Sequence, residues 1–279
     1  MPLNLACVGR TSAPYLFAYE AKDLILYALG VGATERDLSS VFEGDPKFAA
    51  VPSFAVIPAT RALFDAVREL DADLTKLLHG EQGIRWFAPI PTSGVLSTTW
   101  EVTNVFDKGK GALAVVVART ADADGRPLFD NTFSLFVRGA GGFGGDRGPE
   151  QARIDPPADR APDFRVEQAT LPWQALLYRL SGDRNFLHVS PTFATAAGFE
   201  RPILHGLCSF GFAIRALVQE GLGGDAGRLG SVSARFTGIV YPGDRIVTEG
   251  WKTGEGLHVL RVTTDRGTAA ISGFQACSS

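Results

Sequence analysis

Asp183 and His188 stand five residues apart with Asn185 between them, in the run Leu-Ser-Gly-Asp-Arg-Asn-Phe-Leu-His. A carboxylate and an imidazole are the side chains most used to carry protons near neutral pH. A Gly-Asp turn signal precedes the pair. Ser190-Pro191 follows it as an N-cap and a proline in the first helical position, so a short helix starts just behind His188, with Gly198 as its stop. A second helix is expected from about His205-Gly206, because Leu207, Phe210, Ile214, Leu217 and Val218 recur at helical spacing. Gly206 then lies in its first turn, where backbone N–H groups have no partner inside the helix and carry the positive end of its dipole. Such groups donate to a ligand oxygen that gains negative charge, and glycine lets that ligand come close. An acid, an imidazole and a free helix N-terminus within about two dozen residues form a site for moving a proton next to a carbonyl.

Taken one at a time, these residues have plainer readings. Asp183 fits a turn, His188 a packed or solvated histidine, Asn185 a turn cap and Gly206 a small residue in helix packing. Their joint occurrence carries the chemistry. Residues 178 to 188, Tyr-Arg-Leu-Ser-Gly-Asp-Arg-Asn-Phe-Leu-His, resemble the signature Tyr-x-Leu-Ser-Gly-Asp-x-Asn-Pro-Leu-His of the R-specific enoyl-CoA hydratases, the MaoC-like or hydratase 2 group. Phe186 stands where that group has proline, which leaves the backbone less restrained without removing a reactive group. The resemblance continues in Leu-Tyr-Ala-Leu-Gly-Val-Gly-Ala at 26 to 33, Leu-Leu-His-Gly-Glu-Gln at 77 to 82, Asp107-Lys108-Gly109, Gly-Gly-Phe-Gly-Gly at 141 to 145 and Tyr241-Pro242-Gly243. Together these look most like the hydratase 2 unit of peroxisomal multifunctional enzymes of type 2.

The resemblance implies an α+β double hot-dog, two copies of a helix wrapped by an antiparallel sheet. Residues 1–148 would form a non-catalytic, acyl-binding copy, 149–164 a linker and 165–279 the catalytic copy. It implies interconversion of a trans-2-enoyl-CoA and a (3R)-3-hydroxyacyl-CoA, with Asp183 and His188 on one water and the Gly206 N–H on the thioester oxygen. Asn185 could donate to the thioester or orient Asp183. His79, Gly80, Lys108 and Phe236 would line the acyl-CoA site, although Lys108 also reads as a solvated turn charge. No metal or cofactor is implied, and a homodimer is. The enzymatic rival is a hot-dog acyl-CoA thioesterase. A rival of another class is a non-catalytic acyl-thioester-binding subunit.

The elements that must position these groups follow from periodicity. Helices are expected at about 22–29 and 58–70, then strands near 82–88, 94–106, 111–120 and 128–138, rich in Val, Thr, Phe and Trp and separated by tight turns. Leu-His-Gly at 78 to 80 is expected to precede a strand. After a Pro-, Asp- and Arg-rich linker the order repeats: a helix at 173–180, the signature loop, the helix from Gly206, and strands near 230–240, 245–253, 256–264 and 268–276. Leu26-Tyr27-Ala28-Leu29 aligns with Leu177-Tyr178-Arg179-Leu180, an offset of 151 (177 − 26). The first copy has Val31 and Gly32 where the second has Gly182 and Asp183, so it lacks the acid and the imidazole.

Gly139-Ala-Gly-Gly-Phe-Gly satisfies the dinucleotide pattern Gly-x-Gly-x-x-Gly and follows a strand. The next residues, Gly-Asp-Arg-Gly-Pro, cannot open the helix that a pyrophosphate needs, so the stretch reads as a glycine-rich exit from a strand. Of the four histidines none has short metal-type spacing to another, and His258 reads as structural. The 279 residues are 45% hydrophobic with a net charge of −3, which argues against a general nucleic-acid binder. Three scattered cysteines make a disulfide framework unexpected. No apolar run reaches the roughly 20 residues that span a bilayer. With no secretory leader pattern and an Ala-Cys-Ser-Ser ending in place of Ser-Lys-Leu, a cytoplasmic protein is expected.

Overall fold

The computed structural model describes residues 3–150 and 154–278, so the middle of the expected linker, 151–153, lies outside the described residues. Ten antiparallel strands form one sheet: β1 (Tyr15–Tyr19), β2 (Leu77–Trp86), β3 (Gly94–Asp107), β4 (Gly111–Ala121), β5 (Pro127–Arg138), β6 (Phe164–Ala169), β7 (Leu229–Phe236), β8 (Arg245–Gly254), β9 (Leu257–Thr264) and β10 (Ala269–Ser278). Their order is β1-β3-β4-β5-β2-β7-β10-β9-β8-β6. From edge to centre the first half runs β1, β3, β4, β5, β2 and the second β6, β8, β9, β10, β7. The halves are therefore equivalent, and they meet at the β2–β7 pair, where Gly83 lies opposite Ser233. This is the expected double hot-dog. The edge strands β1 and β6 are additions to the expected list, and Leu-His-Gly at 78–80, expected ahead of a strand, lies inside β2.

The helices are α1 (Ala21–Gly30), α2 (Leu38–Val41), α3 (Val56–Glu69), α4 (Gln174–Tyr178), α5 (Pro191–Ala196) and α6 (Gly206–Ala216), the last continuing as a π-helical turn, Leu217–Gly221. The helix expected at 173–180 divides into α4 and a 3₁₀ turn, Arg179–Ser181, because the chain is redirected at Gly182, whose φ of 149° suits glycine. The long helix α3 lays Ala59, Ala62, Ala66 and Val67 against Val102, Ala114, Val116, Phe133 and Leu135 of the first half-sheet. Small residues on the helix let it approach the strands closely. In the second half α6 is buried almost all round through Phe210, Phe212, Ala213 and Ile214, packing on Phe274, Val262 and Leu260.

The second copy also caps the first. The last carbonyls of α1 have no intrahelical partners. Gln174 Nε2 donates to the Leu29 and Gly30 oxygens, Cys208 Sγ to Gly30 O, and Arg215 Nη1 to Val31 O at 3.1 Å. Arg215 then pairs with Asp37 at 2.8 Å, with both side chains buried. By the offset of 151, Asp37 holds the place of His188 (188 − 151 = 37) and Gly32 that of Asp183. A Cβ on Gly32 would lie 2.2 Å from the Phe212 ring, so no acid fits there. In place of a proton-transfer pair the first copy has a buried ion pair to α6.

Candidate active site

Local hydrogen bonds shape the signature loop. The Asp183 Oδ1 accepts from Asn185 N at 3.1 Å, and the Asn185 side-chain oxygen accepts from Leu187 N at 3.0 Å, capping a 3₁₀ turn, Phe186–His188. Asn185 thus caps the turn and orients Asp183 through its backbone N–H. Ser190 Oγ then accepts from Phe193 N and opens α5 with Pro191 in its first turn, as the sequence predicts. Gly198, with φ of 87°, follows the end of that helix. Phe186 is 62% exposed and its ring meets that of Phe193, so most of its side chain is in solvent.

His188 is buried, and its Nδ1 lies 2.9 Å from Ile203 O. A carbonyl can only accept, so Nδ1 carries the proton and Nε2 presents a bare lone pair. Burial pushes the His188 pKa below the usual imidazole value, against the opposing pull of Asp183 and of the Ile203 carbonyl. The ring is neutral at pH 7. His205, absent from the expected site residues, stacks on it with centroids 3.6 Å apart and planes 26° apart. His205 Nε2 lies 3.2 Å from Asp183 O, and its Nδ1 is buried without a partner. Burial, reinforced by His188, holds the His205 pKa well below the ordinary value. The one signal in the sequence was its place at the N-cap of α6, beside Gly206.

One ligand-type atom from each of Asp183, His188 and His205 lies within 4.8 Å of the others, a grouping that sequence spacing could not show. The stacking works against a shared ion. A metal sits in the plane of each imidazole it binds, at about 2.0–2.1 Å, and two nearly parallel rings cannot both meet that condition.

Gly206 is the first residue of α6, and its N–H lies outside the helix's own ladder. A Cβ there would come within 3.1 Å of the Phe236 ring, so glycine is what lets Phe236 and the helix end share the space. Phe236 in turn meets His79 edge-on at 5.0 Å. His79 lies at a bulge in β2, where Gly80 is the extra residue between the pairs His79–Leu135 and Glu81–Ser134. The ring is packed between Phe133 and Phe236, with Nε2 donating to Glu81 O, and desolvation lowers its pKa to about 4. It lines the site as a neutral ring.

Gly80 and Phe236 line a cavity of about 680 Å³ together with the cations Lys108, Arg147 and Arg235 and the acids Glu81 and Glu150. Lys108 sits in the β3–β4 turn and its Nζ donates to Arg147 O. Contacts therefore run from Asp183 through His205 to the head of α6 and from Gly206 to Phe236 and His79, and Phe236 shares a cavity with Gly80 and Lys108. Arg147 and Arg235 were not among the expected site residues. Arg235 is the strand neighbour of Phe236, and Arg147 lies in the loop set aside as a glycine-rich exit. His258 is buried on β9 beside Gly221, the last residue of the π-helical turn after α6.

Residues 17–139 match the MFE-2 hydratase 2 N-terminal domain, and residues 153–272 the MaoC like domain. The chain belongs to the MaoC-like hydratase 2 family. It is 42% identical over 265 residues to a probable enoyl-CoA hydratase 2 of Dictyostelium discoideum, covering 93% of this chain and 90% of that one. The crystal structure of a MaoC-like dehydratase from Phytophthora capsici superposes with a TM-score of 0.89 at 34% identity, covering 99% and 98% of the two chains. Full-length peroxisomal multifunctional enzyme type 2 of Drosophila melanogaster gives 0.82 at 36%, with 96% of this chain matching 48% of that one. The cytoplasmic expectation is corrected here. Family members from Drosophila melanogaster, Mus musculus, Neurospora crassa and Saccharomyces cerevisiae are named as peroxisomal enzymes. Scattered cysteines and the lack of a long apolar run suit either compartment, so composition could not separate them.

Proposed function

We propose that the protein is a hydro-lyase that adds water to a trans-2-enoyl-CoA to give a (3R)-3-hydroxyacyl-CoA, and removes it in reverse. The observation that carries this reading is the His188 imidazole, neutral with its proton held on Nδ1 and grouped within 4.8 Å of Asp183, with the Gly206 N–H at the head of α6 next to His205 of the same group. Water held between Asp183 and His188 adds its oxygen to C3. His188 Nε2 takes the proton released, while the Gly206 N–H holds the thioester oxygen as it gains charge. The enolate then collapses as the His188 imidazolium returns that same proton to C2, so one water is consumed, the base is neutral again and every proton is accounted for. Positioned acid–base groups contribute about 10² to 10⁴ in rate, and an oxyanion donor about 10² to 10³. Water is the only co-reactant, and the step uses neither metal nor cofactor.

His79, Gly80 and Phe236 are assigned to the pantetheine path, and Lys108, Arg147 and Arg235 to the phosphates. The first copy, 1–148, is assigned to the acyl tail, since Gly32 and Asp37 replace its catalytic pair. Residues 149–164 serve as the linker to the catalytic copy, 165–279. A homodimer is proposed on the family resemblance, and sedimentation tests it. The function is tested by following the absorbance of crotonyl-CoA and of a ten-carbon enoyl-CoA, with chiral analysis of the product. Loss of the enoyl band with the (3R) alcohol formed is expected on both. Release of free CoA would mean a thioesterase, binding without turnover a non-catalytic subunit, and activity on four carbons alone would refute the acyl role of the first copy.

A further inference from the structure

Asp107 closes β3 and is buried. Its carboxylate accepts three backbone N–H groups, from Gly109, Gly142 and Gly144, each at 2.8 Å, while its own N–H donates to Asp146 O. These bonds hold its pKa below the usual carboxylate range. Gly139 N also donates to Lys110 O, and a Cβ on Gly141 would lie 2.4 Å from Gly111 O. The glycine-rich loop is therefore pressed flat on the β3–β4 turn. Its N–H groups surround a carboxylate of the chain itself, which explains a phosphate-loop pattern without a phosphate. One side of this joint carries Lys108 and the other Arg147, and both line the cavity that leads to Phe236.

We propose that Asp107 is a positioning residue for the nucleotide end of the substrate: by clamping the glycine loop to the β3–β4 turn it sets the spacing of Lys108 and Arg147. The inference rests on the acyl-CoA reading above. An acid next to a phosphate site would ordinarily repel its ligand. Here the charge is directed at backbone donors, which offsets that repulsion and holds two cations in register.

Hydration kinetics of the full chain separate this role from a general structural one. The substrates are an enoyl-CoA and the same enoyl group on N-acetylcysteamine, which lacks the nucleotide. Asp107→Ala is expected to raise KM for the CoA substrate about tenfold with kcat nearly unchanged, and to leave kcat/KM for the short thioester unaltered. The double variant with Lys108→Ala should be no worse than the worse single one. Equal losses on both substrates would overturn the proposal, as would an unchanged KM where Lys108→Ala alone raises it. An unchanged KM in Lys108→Ala would instead refute the assignment of the phosphates to this cavity. If Asp107→Ala fails to fold, Asp107→Asn, which keeps the shape and one acceptor, decides by the same comparison.

Discussion

His188 and His205 stack face to face at 3.6 Å, and a backbone carbonyl fixes one nitrogen of each ring, Ile203 O for the first and Asp183 O for the second. Two imidazoles so close cannot both be charged. Burial adds to that repulsion, and both pKa values lie below the ordinary one. A base that stays neutral is ready to accept a proton, so the hydration rate should hold level from pH 8 to below the usual imidazole value of about 6.5. An acid limb centred at or above that value would contradict the tautomer and the role assigned to His188.

The same burial has a stability consequence with a definite sign. Between about 6.5 and the lowered native values, the unfolded chain binds more protons than the folded one, so stability falls as pH falls. The loss should approach about 1.4 kcal/mol per pH unit for each histidine held neutral, and His79, whose pKa is lowered to about 4, adds to the contributions of His188 and His205. Urea unfolding at pH 7.5 and 5.5 measures it. Equal or greater stability at pH 5.5 would show that the rings are not held neutral.

Phe186 occupies the first position of a 3₁₀ turn, behind Asn185 at φ −56° and ψ 129°. That backbone suits the residue before a proline, and the Phe186 side chain is largely in solvent. Phe186→Pro should therefore stabilise the protein by about 0.4–1 kcal/mol through the unfolded state, with kcat unchanged. A loss of stability would mean that the loop follows a path different from its proline-bearing relatives.

The shape of the signature loop was legible because its geometry is local: Asp183, Asn185, Ser190 and Pro191 each make turn or cap contacts within a few residues. Gly206 was legible for the same reason. His205 was not, since its role depends on stacking across the loop and a helix entry, and no periodicity encodes that. The edge strands β1 and β6 escaped notice because they are five and six residues long, too short for their alternation to stand out, and their inward residues are mostly only half-buried. The offset of 151 revealed the duplication but not the pairing of β2 with β7, which is a relation between copies. Arg147 lay hidden in a stretch whose glycines resemble a cofactor motif.

The Arg215–Asp37 pair joins α6 to the degenerate loop of the first copy. Removing one partner of a buried pair leaves a charge without its counter-ion, and although Asp37 keeps bonds from Thr34 and Gln219, Arg215→Ala should cost about 3 kcal/mol. Arg215→Met combined with Asp37→Leu should cost less than the sum of its two single changes. Denaturant curves on the four proteins decide, and a loss below about 1 kcal/mol for Arg215→Ala would show that the pair is hydrated rather than buried.

Asp183 and His188 are predicted to act as one unit on one water, because their polar atoms lie within 4.8 Å of each other and the His188 lone pair has no other assigned task. Asp183→Asn keeps the size of the side chain and an acceptor for the Asn185 N–H but removes the charge. His188→Ala removes the proton acceptor and leaves Ile203 O unpaired. Each should lower kcat by about 10² or more with little change in KM. Groups that cooperate in a single transition state are grossly non-additive, so the double variant should be about as slow as the slower single one. Unfolding curves on every variant keep loss of fold separate from loss of chemistry. Near-normal turnover in either single variant would remove that residue from the mechanism. Strictly multiplicative losses in the double variant would mean that the two side chains act on different atoms, and the shared water would have to be abandoned even with hydratase activity intact.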